Sequence, residues 1–473
     1  LTANTSGVQN VAVGYQAMVA NTTGAYNTAL GYQALDANTT GGENVAIGQA
    51  ALSANTTASN NVAVGVNAAT ANTTGVKNTA IGYYAGMDNS TSSGNTAVGY
   101  FALKENEAAS NTAVGRSALA ANTTGASNLA VGYQALDANT TGSYNLAIGE
   151  NALGSLTTGS QNVAIGRSAL DTTEAAVGNV AVGHHTLDAV STGNYNTALG
   201  HQAGAAITTG GYNTAVGHQS AFAATTGANN TTVGYLAGGA ITTGDNNVAV
   251  GYQALDSNTT GDENVAIGWQ AGAASTAGGS FIAIGYGAMN TGNVSGVYNI
   301  GIGRYALQNV SSGGRNIGIG QVLTATTTGD YNLGLGTDAL ITNVAGNHAI
   351  GIGYHALYYQ NPGSDTDTFN VAVGYKSGEA TTTGVQNTYI GAEAGEKINS
   401  GSQNTLVGYQ AGDALTTGDN NTLLGFGAAA AAVDSDNSFT LGNSSIAALR
   451  CQVQTISALS DERDKTEIVD LTQ

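Results

Sequence analysis

The sequence predicts an all-β fold, a parallel β-solenoid or β-roll of about 26 coils, and three observations carry that reading. A box of the form Asn-x-Ala-(Val/Ile/Leu)-Gly recurs along the chain with its glycines at Gly14, Gly31, Gly48, Gly65 and onward to Gly408, Gly425 and Gly442. Nearly every spacing is 17 residues, too short for a propeller blade or a helical hairpin but suited to one solenoid coil of two short strands and two turns. The composition agrees: of 473 residues only 9% are charged, with 69 Gly and one Pro, whereas an ordinary globular chain carries about 25% charge.

Composition also limits function. A hydrophobic content of 42% excludes a disordered chain. No apolar run approaches the roughly 18 residues of a membrane span, so no membrane insertion is expected. A formal charge of −19 argues against nucleic acid or an anionic membrane surface as partner. The lone Cys451 excludes an intrachain disulfide framework. The sequence opens inside a repeat and without Met, which reads as a piece of a longer chain.

Alternation along a strand sorts the columns by face. The residue before the box Gly is aliphatic in every unit, as in Val13, Leu30 and Ile47, and the one before that is small as far as Ala372, as in Ala12, Ala29 and Gly301. A second apolar pair follows, as in Ala34-Leu35 and Ala118-Leu119. If the small column and the Leu column fill the coil, the Val/Ile/Leu column faces outward. That row, with Val114, Val131, Ile148 and Ile165 as representatives, asks to be covered by a second subunit. Asn at the first box position, in about 23 of 26 units, stacks as an amide ladder and is read as scaffold. Thr-Thr-Gly supplies a turn, with its Gly expected in a backbone conformation closed to most residues.

The box resembles the head repeats of trimeric autotransporter adhesins, whose units are shorter. The longer phrase Gly-Tyr-Gln-Ala-Leu…Asn-Thr-Thr-Gly…Asn-Thr-Ala resembles fibre repeats of phage tail proteins and related bacterial surface proteins. The C-terminal string Ser460-Asp-Glu-Arg-Asp-Lys465-Thr-Glu-Ile468 resembles the opening of the intramolecular chaperone, auto-processing domain that ends phage tail spikes and fibres. That resemblance implies a homotrimer, single-turnover self-cleavage at Ser460, and Lys465 as the group that activates it. It divides the chain into a repetitive shaft (1–437), a shaft end (438–459) and the truncated start of the chaperone (460–473). A Lys can serve as base only when burial lowers its pKa.

The residue after each box Gly is often aromatic, and Gln frequently follows it. The stripe reads first as a self-stacked ladder. Its alternative role is contact with a host surface glycan or protein receptor, through Tyr235, Tyr252, Trp269 and Tyr286. His184, His201 and His218 share the column and are read as surface imidazoles rather than a metal site. The one long insertion, a spacing of 21 between Gly353 and Gly374, holds Tyr358, Tyr359, Pro362, Asp365 and Asp367 and offers a second contact candidate. No nucleophile–base set, paired-carboxylate site, Cys/His cluster or phosphate loop emerges, so neither an enzyme nor a cofactor is expected. The functional expectation is an extracellular fibre, the shaft and host-contacting part of a trimeric phage tail fibre. A bacterial cell-surface adhesin or appendage is the alternative.

Overall fold

The computed structural model describes residues 2–448. Each box forms a three-residue strand, from Val11–Val13 to Phe439–Leu441, and 26 such strands stack into one parallel sheet. Every strand pairs with those one coil before and after it, residue for residue: Val11 opposite Thr28, Ala12 opposite Ala29, Val13 opposite Leu30. The chain is therefore a one-coil-per-rung parallel β-solenoid with a repeat of about 17 residues.

The faces follow the alternation. The middle strand residue is buried in nearly every coil, as at Ala29, Ala46 and Ala164, and its two neighbours point outward. Both members of the second apolar pair, such as Ala34 and Leu35, are fully buried. The core is thus a narrow filling of Ala against Leu, which is why the sequence needs so few aromatic core residues.

Two expectations are corrected. The far side of the coil is not a second strand. Its residues alternate into positive φ, as at Gln16 (57°) and Met18 (49°), or Gln33 (54°) and Leu35 (55°). The amides still bond from coil to coil: Gln33 N–H donates to Tyr15 O (2.9 Å) and Leu35 N–H to Ala51 O (3.0 Å). A left-handed Leu costs about 1–2 kcal/mol, which full burial of its side chain at about 1.5–3 kcal/mol offsets.

The second correction concerns the glycines. In Thr-Thr-Gly the Gly is favoured by crowding rather than by φ: a Cβ on Gly24 would lie 2.3 Å from Gly41 O and 2.5 Å from Asn21 Oδ1, although Ala58 and Ala176 hold the equivalent place in their own coils. The box Gly carries both constraints. Gly14 has φ of 133°, and a Cβ there would meet Gly31 O at 2.3 Å.

The Asn ladder is interior and, Asn95 Nδ2 apart, which has no partner, engaged from coil to coil. Asn27 N–H donates to Asn10 Oδ1 (2.9 Å), while Asn27 Nδ2 donates to the turn carbonyl of Gly41 (2.9 Å). Each side chain therefore ties the coil below to its own turn. A second ladder, not singled out in the sequence, is formed by the Asn of Asn-Thr-Thr: Asn38 Nδ2 donates to Asn21 Oδ1 and Asn55 Nδ2 to Asn38 Oδ1, both at 2.8 Å. It ends where Leu156 replaces Asn, and Asn139 Oδ1 is left buried without a partner.

Core volume is exchanged between columns at one place toward the C-terminal end, though not at Gly86, where the flanking strand residues stay Ala80 and Ala97. Where the buried Leu becomes Gly378 or Gly395, the usual strand Ala becomes Tyr389, whose ring fills both vacancies. A Cβ on Gly378 would sit 2.5 Å from that ring, and one on Gly395 2.6 Å from it.

Two tests follow from this packing. With 26 coils at about 4.8 Å per rung, electron microscopy should show a rod about 120 Å long; a compact globule would contradict the fold. Tyr389→Ala should destabilise by about 3–5 kcal/mol in thermal or denaturant melts. Adding Gly378→Leu, which restores the ordinary Ala/Leu pair, should recover at least half of that loss.

Candidate binding surface

The corner at each box Gly turns the chain from the sheet to a column of side chains that stand in solvent. Because coils stack in register, equivalent residues lie one above another. From His184 the column runs His201, His218, Tyr235, Tyr252, Trp269, Tyr286, with successive ring centroids 5.3, 5.0, 5.4, 5.2, 6.2 and 4.5 Å apart and planes within 17° of parallel. Arginines close both ends. Arg167 Nε donates to His184 Nε2 at 2.9 Å, and the Arg304 guanidinium lies 5.8 Å from the Tyr286 ring.

This stacking decides what the stripe can do. A sugar stacks on the face of an aromatic ring, and every interior face of this run is already covered. Tyr235, Tyr252, Trp269 and Tyr286 are 38–45% exposed, but what they present is ring edge and polar tip. The neighbouring Gln column forms its own partial ladder: Gln33 Nε2 donates to Gln16 Oε1 (3.0 Å) and Gln270 Nε2 to Gln253 Oε1 (2.9 Å).

The three histidines are spread face to face along the stack. His184 is held below the ordinary imidazole value, first by crowding that strips its water and then by the nearby His185 and Arg167 charges. Among the described residues no group of three or more His, Cys, Asp or Glu is arranged to hold a metal ion.

The insertion is smaller than the spacing suggests. Tyr359 N–H donates to Glu379 O (3.1 Å) and Asn361 N–H to Thr382 O (3.0 Å), the ordinary coil-to-coil bonds. Tyr358 and Tyr359 therefore belong to the regular coil, packed edge to face at 4.6 Å, and the extra residues begin at Pro362. Both acidic residues of the loop are engaged within the chain. Asp365 accepts from Asn347 Nδ2 (2.7 Å), and Asp367 pairs with His348 Nδ1 (3.0 Å). Thr366–Asp367 also pairs with Gly346–Asn347 as a two-residue parallel ladder. His348 in turn stacks between Tyr331 (4.9 Å) and Phe369 (5.1 Å), part of a second aromatic column on the opposite edge that the sequence reading did not mark.

The row holding Val114, Val131, Ile148 and Ile165 lies on the outer sheet face. A second outward column runs beside it, with Thr112, Leu129, Leu146 and Val163 at the same rungs. Neither column holds a charged residue in any of the strands. Ser460 and Lys465 lie outside the described residues. No helix among the described residues is long and apolar enough to cross a membrane. No protein-family model matches the chain, and no curated protein matches it in sequence.

Carboxylates flank the Gln column, and several are desolvated. Burial raises the Asp137 pKa, against a hydrogen bond from Gln134 Nε2 (3.2 Å) that lowers it. An acid whose folded pKa is raised holds its proton longer in the folded state, so stability falls as pH rises through the interval above 3.8. Asp137→Asn should therefore raise the melting temperature at pH near 7, with the gain shrinking toward zero below the ordinary carboxylate value of 3.8. Melts of both proteins across that interval check it.

Proposed function

We propose that this chain is the shaft and host-contacting portion of a trimeric extracellular fibre, of the kind phages use as tail fibres. The observation that carries the reading is the outer sheet face, two uncharged columns that run the length of 26 rungs. In the single chain the more exposed members of its aliphatic column keep a third to a half of their surface in water, as at Val114 (37%), Ile148 (36%) and Leu199 (50%), and others, Val131 and Ile165 among them, are partly exposed. A fully buried side chain of this type contributes about 1.5–3 kcal/mol, so covering the remainder along the whole column contributes on the order of tens of kcal/mol per chain. Contiguous apolar surface of that extent marks an interface. A parallel homotrimer covers it with copies of itself and keeps all coils in register.

Two further features support the fibre reading. The remaining surface is a stacked, self-satisfied lattice of Tyr, Gln and Thr, which suits a passive shaft more than a catalytic cleft. The Ser460–Lys465 string fits a chain whose near-identical coils need an external device to set their register. Docking one rung out of step costs little in the shaft itself, and a chaperone cut away afterwards leaves the assembly kinetically trapped. Attachment to a host glycan or receptor is the role that such a shaft serves.

The test is assembly. Mass photometry of the chain should give three times its 46.8 kDa mass. Replacing Val114, Val131 and Ile148 together with Asp should abolish trimers, while a change at Tyr133 should leave them intact. Trimers that survive the triple change would show that the sheet face is not the contact.

A further inference from the structure

The outer sheet face carries a pattern along its axis that a single chain does not use. Of its two outward columns, the one before the box Gly is Val, Ile or Leu on all 26 rungs. The other is aliphatic for most of its length but turns to Thr for three successive rungs in three places: Thr79 to Thr112, Thr197 to Thr231, and Thr388 to Thr422. Counted from Val11–Val13 these are rungs 5–7, 12–14 and 23–25, separated by four aliphatic rungs and then by eight. One further Thr, Thr28, stands on rung 2. All the triplet side chains are at least partly exposed. Their hydroxyls make no hydrogen bond among the described residues. Turn hydroxyls do, with Thr22 Oγ1 donating to Thr39 O (2.9 Å) and Thr208 Oγ1 to Thr225 O (3.0 Å). Val and Thr are both branched at Cβ and suit a strand alike, so the fold of one coil does not ask for the hydroxyl.

We infer that the three Thr triplets choose how copies of this chain pack through the sheet face: parallel, with equal rungs at equal heights. The inference rests on the fibre reading for the interface itself and adds which residues select the arrangement. Burying a hydroxyl against an aliphatic neighbour costs its desolvation, whereas a hydroxyl that meets another recovers a hydrogen bond. In copies related by rotation about the long axis, every Thr rung meets its own equivalent. Three hydroxyls at one height then close a ring, each donating to one neighbour and accepting from the other. Apolar area alone does not choose, since parallel and antiparallel copies at full overlap cover the same columns.

Turning one copy end over end breaks the match. The intervals of four and eight rungs then run in the opposite order, so no antiparallel stagger pairs all three triplets. With the ends aligned, rungs 5, 6 and 7 face rungs 22, 21 and 20, which carry Val371, Ile350 and Leu333. Six of the ten Thr in the column lie against aliphatic side chains in that arrangement. Parallel copies slipped by 7, 11 or 18 rungs pair one triplet only. A slip of one rung still pairs two Thr in each triplet. The pattern therefore sets polarity and gross stagger, and the last rung is left to a separate registering device.

Mixing of whole chains tests the pattern. A shifted variant, with Thr79, Thr96 and Thr112→Val and Leu129, Leu146 and Val163→Thr, moves the first triplet by three rungs. A control carries Leu129→Val and Leu146→Val only. Each should assemble with itself to the parent's oligomer mass by mass photometry. Coexpressed with a parent chain bearing a second affinity tag and read by native mass spectrometry, the control should mix at the statistical share. The shifted variant should mix at least about tenfold less, because its Thr meet aliphatic side chains of the parent. Orientation is read separately from dyes on Thr57→Cys in a Cys451→Ser background, which leaves the sheet face untouched and keeps the test open should the shifted chain fail to fold. Parallel copies should show energy transfer between the dyes; antiparallel copies would hold them about 20 rungs, or roughly 95 Å, apart and show none. Statistical mixing by the shifted variant, or no transfer within an assembled parent, would overturn the inference while leaving the fibre reading standing. A parent chain that stays monomeric would overturn both.

Discussion

The structure depends on how closely one coil lies on the next at the box glycine. At that corner the chain leaves the sheet with φ between 111° and 145° through Gly425, and in most coils a Cβ would fall 2.3–2.5 Å from the carbonyl oxygen of the next box glycine. No side chain fits, and no slip along the axis relieves the clash, because the next coil presents the same atoms. Stacking the corners this tightly places every other column in register. The Asn side chains then bridge coil to coil, strand residues face their equivalents, and aromatic rings stack at centroid distances of 4.5–6.2 Å. The ladders are consequences of that register and in turn hold it.

Much of this is legible in the sequence because translation along a solenoid turns a period into a column. The burial of Ala29 and the exposure of Leu30 follow from alternation alone, as does the interior place of Leu35. What the sequence conceals is backbone conformation. Leu35 and Gln33 look like strand residues, yet both are left-handed, because a coil this short must curve while its amides keep bonding to neighbouring coils. The Thr-Thr-Gly glycine looks like a turn glycine, yet at Gly24 it is crowding by Gly41 O and Asn21 Oδ1, not φ, that disfavours a side chain. The Asn of Asn-Thr-Thr was equally visible as a column, but its neighbours gave no sign that it points inward.

The candidate surface was legible as a column and not as a site. Sequence spacing lines up Tyr235, Tyr252, Trp269 and Tyr286 but cannot say whether their faces are free. Stacking answers that for the long run, where rings and terminal arginines cover one another. Regularity then makes the exceptions informative. A missing ring at Ala392, a Leu exchanged for Gly378 beside Tyr389, and an Asn ladder broken at Leu156 each change what fills one coil while leaving the stack intact. Beside the first the Lys376 ammonium lies over the Tyr375 ring, the second refills the core, and the third leaves an unpaired oxygen.

The central claim is that tight stacking at the box glycines holds the coils in one register, so that buried asparagine amides tie consecutive coils together along the stack. Hydrogen exchange of the chain labelled with nitrogen-15 at asparagine tests it most directly. Side-chain Nδ2 protons of ladder residues such as Asn162, Asn179 and Asn196, each donating to a turn carbonyl at 2.8–2.9 Å, should stay protected for hours in heavy water. If all asparagine side-chain protons exchange as fast as those of an unfolded chain, the ladders are not buried and the account of the register fails.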